Sequence, residues 1–172
     1  DIHLAMCEDF EVTDQIVEFY ARRARGGAGL ICVGFATVDD LAGNTLNIGA
    51  HRDDFIPGLT RLATGIKENG ARAAIQLNHA GRYNFSFFLD GKQPVAPSAI
   101  PSRMTRETPR ELTTDEIQQI VAAFARAAGR VKRAGYDAVE VLSGTGYLIS
   151  EFLSPVTNQR EDAYGGSLEN RM

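Results

Sequence analysis

Three stretches of this chain repeat one grammar, and the repetition limits the folds open to it. Residues 27–35 (GAGLICVGF), 70–77 (GARAAIQL) and 135–142 (GYDAVEVL) each open on a glycine and then run apolar for the length of a strand. A glycine at that point suits a helix C-terminus, where a left-handed residue closes the last turn. Strands apolar on both faces belong to parallel sheets covered by helices. The segments before the glycines read as those helices. Residues 13–25 carry Ile16, Val17, Phe19, Tyr20 and Ala24 on one stripe, and 54–67 carry Phe55, Ile56, Leu59, Leu62 and Ile66. Residues 113–134 carry Ile117, Ile120, Val121, Phe124, Ala128 and Val131, with Thr113 and Glu116 spelling a capping box at the start. Strict alternation of helix and strand predicts an α/β fold with right-handed crossovers between parallel strands.

A doubly wound sheet and a (β/α)8 TIM barrel both satisfy that alternation. Residues 78–112, after the second strand, are polar, proline-bearing and without period. A long excursion after a strand C-terminus favours the barrel, where such loops build the active face. The chain starts at Asp1, and Ser167 reads as the N-cap of a helix that Met172 cuts short. The expectation is a partial barrel domain over 1–172, truncated at both ends.

Bulk properties narrow the function classes. A length of 172 residues is enough for one real core, and the formal charge of −4 offers no basic surplus for nucleic acid. No apolar run is long enough to span a bilayer, so no membrane partner is expected. Cys7 and Cys32 have no metal-ligand spacing. Cys32 sits in an apolar strand and reads as a buried hydrophobe, and this cysteine usage fits a reducing cytoplasm.

Candidate chemistry collects after the strands. Gly144 and Gly146 invite a dinucleotide fingerprint, but the third glycine it needs falls on Ile149, which excludes a Rossmann site. Gln76, polar at the end of an apolar strand, can serve a heterocycle edge with donor and acceptor or rest as a satisfied core amide. His79 can orient a ligand, although a structural hydrogen bond is the commoner fate of a loop histidine. Arg82 can meet an anion or pin the long loop to an acidic neighbour. Tyr147, leaving the third strand, can pack at a rim or hand its phenolic proton to a developing carbanion. Asn158, Arg160, Asp162 and Tyr164 read as a polar clamp closing a loop.

Taken together, residues 20–27 (YARRARGG), 76–82 (QLNHAGR) and 135–171 closely resemble the old yellow enzyme (NADH:flavin oxidoreductase) family of FMN-dependent ene-reductases on a (β/α)8 barrel. The resemblance covers nearly the whole chain and implies the first half of that barrel, from the end of strand one to the loop after strand four. It implies FMN as cofactor, NAD(P)H as reductant and a small unsaturated molecule as substrate. On it, Gln76 corresponds to the glutamine at the flavin pyrimidine, and Gly34 and Phe35 lie where backbone approaches the flavin. Tyr147 corresponds to the proton donor, with hydride from flavin N5. The enone-binding pair of many members falls on Leu142 and Thr145, and only Thr145 can hydrogen-bond; with His79 these make the expected substrate contacts. That departure, with residues 95–99 (VAPSA), is similar to the 2,4-dienoyl-CoA reductase branch, whose members add an iron–sulfur cluster and FAD in further domains. The same likeness leaves an amine dehydrogenase of the trimethylamine dehydrogenase type, or a non-catalytic barrel fragment, as alternatives.

Overall fold

The computed structural model describes residues 2–172. In chain order its elements are α1 (Asp14–Arg25), β1 (Leu30–Thr37), β2 (Ile48–Gly49), α2 (Ile56–Lys67), β3 (Arg72–Asn78), β4 (Val95–Ala96), β5 (Arg110–Glu111), α3 (Thr114–Arg133), β6 (Ala138–Val141), α4 (Leu148–Leu153) and α5 (Leu168–Arg171). Strands pair in the order β2-β1-β3-β6, all parallel. Between β1 and β3, and between β3 and β6, the helices α2 and α3 return the chain to a neighbouring parallel strand, as in a βαβ unit.

The three glycines that open the repeats take φ of +96° (Gly27), +98° (Gly70) and +89° (Gly135), so each helix does end on a left-handed residue. Thr113 and Glu116 form the expected reciprocal cap at the start of α3. Behind the sheet, Ile31, Val33, Ala73, Ile75 and Leu77 pack with Tyr20, Leu59, Leu62, Ile66 and Val131 in one core. Alternation then turns Cys32, Ala74, Gln76 and Glu140 to the opposite face, away from the helices.

Two expectations change. Among the described residues the segment before α1 holds no strand; its one pairing is a bridge between Glu8 and Glu11. The excursion over 78–112 is not structureless. Its β4 and β5 pair in parallel, and Val95 and Leu112 join Ile117 and Leu148 in a second small core. Two-residue strands carry no hydrophobic period, which is why pattern reading passes over them. The clamp forms as expected. Arg160, 8% exposed, donates from Nη1 to Leu112 O (2.6 Å) and Pro97 O (2.9 Å), and from Nε to Asp162 Oδ1 (3.0 Å). Those bonds hold the Asp162 carboxyl below its ordinary range. Among the described residues no helix is long and apolar enough to cross a membrane.

Candidate active site

An irregularity in β1 organises the site. Val33 pairs with Ile75, but the next pairing is Ala36 with Leu77, so Gly34 and Phe35 both lie opposite Gln76. The Gly34 N–H is taken on the helix side by the Tyr20 hydroxyl at 3.3 Å. The Phe35 ring turns toward the loop after β6, where it meets the ring of Tyr147 edge-on with centroids 6.0 Å apart.

Gln76 is buried, and its partner is Glu140, its direct neighbour in the ladder. Gln76 Nε2 donates to Glu140 Oε1 at 2.7 Å, while the Cys32 thiol donates to Oε2 at 3.1 Å. Hydrogen bonds from Cys32 and Gln76 lower the Glu140 pKa. Burial, reinforced by the hydrogen bond to Glu140, pushes the Cys32 thiol up to about 12. The pair is thus an ionised carboxylate and an intact thiol. Cys32 is half-buried and hydrogen-bonded rather than the plain core hydrophobe expected of it. Gln76 Oε1 and both amide heteroatoms of Asn78 are buried without a partner among the described residues.

Tyr147 stands at the N-cap position of α4, its side chain making no capping bond, and is half-buried between Phe35 and Tyr83, the second ring also 6.0 Å away. Gly146 lies so close to Tyr83 that a Cβ there would come within 2.5 Å of its ring. Leu148 N–H donates to His79 O at 3.0 Å and joins the β3 and β6 loops. Leu142 is half-buried; Thr145 is exposed on the same turn, in the left-handed region at φ +59°. Phe35, Tyr83, Phe88 and Tyr147, with His3 and Ala80, line a cavity of about 330 Å³.

His79 is buried and serves the loop. Its Nδ1 accepts from Gly81 N–H at 3.0 Å, which sets the Nε2–H tautomer and leaves Nε2 3.5 Å from Asp39 Oδ1. Burial lowers its pKa, so the ring is neutral. Arg82 pins the excursion through the carbonyls of Ile100 and Pro101, both at 3.4 Å, rather than through an acid. Sequence reasoning missed Glu151. This residue on α4 is 1% exposed and accepts the Arg82 N–H at 3.1 Å through Oε1, leaving Oε2 unpaired. It missed Glu140 as well, although a lone acid inside the apolar run of 138–141 was a visible signal.

Residues 2–172 match the model of the NADH:flavin oxidoreductase / NADH oxidase family. The chain belongs to this family. A metal reductase from Desulforamulus reducens is 54% identical over 172 residues, covering 99% of this chain and 25% of the relative. A 2-naphthoyl-CoA reductase in complex with 2-naphthoyl-CoA superposes with a TM-score of 0.91 at 35% identity, over 97% of this chain and 28% of that one. Morphinone reductase in complex with tetrahydroNAD gives a TM-score of 0.90 at 35% identity, over 97% and 50%. The chain thus spans a quarter to a half of the length of these flavin-family proteins, and its parallel α/β sheet is part of a TIM barrel. The flavin of the family fits what is present here. A pyrimidine edge offers an N–H between two carbonyl oxygens, and Gln76 Oε1 is a buried acceptor lacking a donor.

Proposed function

We propose that this protein is an FMN-dependent oxidoreductase that uses NAD(P)H to reduce an activated C=C bond in an enoate, enoyl-CoA or enone. The observation that carries the reading is the convergence of three strand ends. The orphaned Gln76 Oε1, the Phe35 ring opposite it and the Tyr147 phenol in contact with that ring share one end of the sheet. Function at the C-terminal ends of parallel strands is the rule for such barrels.

Gln76 would hold the pyrimidine edge, with the backbone of Gly34 and Phe35 alongside. Bound FMN would supply the hydride. Tyr147 hands its hydroxyl proton to the carbon beside the one that receives hydride, so the alkene gains one hydrogen on each carbon. Thr145 is the polar side chain at the usual carbonyl-binding pair and Leu142 the apolar one; His79 holds the floor of the loop from beneath. The ring-lined cavity favours planar conjugated substrates. The CoA ester in the naphthoyl-CoA reductase supports including acyl thioesters among them.

Tyr147→Phe in the full-length protein tests this reading. FMN content should be unchanged while turnover of α,β-unsaturated substrates falls roughly 100-fold or more. Unchanged turnover would remove Tyr147 as the donor.

A further inference from the structure

On one face of the sheet, Cys32, Gln76 and Glu140 form a closed set that pattern reading did not assemble. Gln76 and Glu140 are paired in the β3–β6 ladder. Cys32 lies on the far side of β3, level with Ala74. The alanine side chain between them is short, and the Glu140 carboxylate reaches across the middle strand to the thiol. One acid on β6 is therefore bonded to side chains of two further strands, β3 and β1.

We infer that Glu140 is a positioning residue for the flavin site, acting through Gln76 by dictating which way its amide faces. A primary amide can be turned over without changing shape, exchanging its oxygen for its nitrogen. Against an ionised carboxylate only the nitrogen is tolerated, since two oxygens would face each other with no proton between them. The thiol of Cys32 occupies the second carboxylate oxygen and holds the acid in place. With Nε2 committed to Glu140, Oε1 is the amide atom left without a partner among the described residues. That is the polarity an acceptor for a pyrimidine N–H must have. The inference rests on the flavin reading above and adds the residue that fixes its hydrogen-bond sense.

The test is FMN affinity and flavin midpoint potential in the full-length holoprotein, measured for Glu140→Gln alone and in a Gln76→Ala background. A glutamine at 140 can accept or donate, so it no longer dictates the orientation of its partner. FMN binding should weaken about tenfold in the single variant, the scale of one charge-assisted hydrogen bond, and the potential should shift. In the Gln76→Ala background the same change should have little further effect, because Glu140 acts through that amide. Glu140→Asp keeps the charge but withdraws it by one methylene, and should also weaken binding. It serves as the second variant if Glu140→Gln does not fold. Equal FMN affinity in wild type and both variants, or an undiminished effect in the Gln76→Ala background, overturns the inference. A wild-type protein that holds no FMN overturns the flavin reading instead, so the two failures are distinguishable.

Discussion

Replacing Glu151 by Gln should stabilise this protein near neutral pH, although it removes an acid from a fully enclosed position. Glu151 is 1% exposed, and burial pushes its pKa up to about 8, with the Arg82 N–H and the Arg82 charge opposing the rise. The unfolded carboxyl titrates near the ordinary value of 4.5. The folded chain therefore keeps this proton between pH 4.5 and 8 while the unfolded chain has released it. Stability has its full value below the lower pH, falls as pH rises through the interval, and is flat above it. At 1.36 kcal/mol per pH unit, the loss amounts to roughly 3 kcal/mol at pH 7 and about 5 kcal/mol above pH 8. Gln keeps the oxygen that accepts the Arg82 N–H and has no proton to lose. The opening free energy of residues 79–83 and 148–153, measured by hydrogen exchange and corrected for intrinsic rates, should agree between the two proteins near pH 4.5. From there the difference should grow in favour of Gln by about 1.4 kcal/mol per pH unit up to pH 8. A difference that stays constant from pH 5 to 8 would refute the argument, since it would mean that Glu151 titrates as it does in the unfolded chain.

Two further outcomes follow from contacts described above. Arg160→Met should destabilise the 95–112 excursion by roughly 3–5 kcal/mol, because it strips the buried carbonyls of Leu112 and Pro97 of a charged donor; faster exchange or proteolysis of that segment is the readout. Gly146→Ala must displace Tyr83 and take a φ of +89°, costing roughly 1–3 kcal/mol and weakening the Tyr83–Tyr147 signal in near-UV circular dichroism. Gly144→Ala, with nothing within 4 Å of the new Cβ, is the matched control.

The helices and long strands were legible because their signals are local: an apolar stripe at 3.6-residue spacing, a cap, a glycine stop. The clamp at Arg160 was legible because Asp162 lies two residues away. The site was legible only in part. Gln76 and Tyr147 stood out as polar groups where strands end, and the family likeness gave them roles. Their supports did not stand out. Glu140 meets Gln76 across 64 positions of sequence and Cys32 across 108, and Glu151 meets Arg82 across 69. No periodicity encodes partners that only strand order brings together. Cys32 was misread for that reason: alternation along an apolar strand says which face a residue shares, not what waits on that face.

The extra residue in β1 carries a consequence for how this protein tolerates change. Removing one residue from 34–35 would let Val33 and Ala36 become partners of Ile75 and Leu77 without a gap, and every hydrogen bond of the ladder could still be made. Such a shortened chain would keep the register of the sheet. It would nevertheless present one group in place of two across from Gln76 and could lose the ring that reaches Tyr147. A survey of deletions scored by solubility would pass this variant as silent, while an assay of flavin retention would single it out.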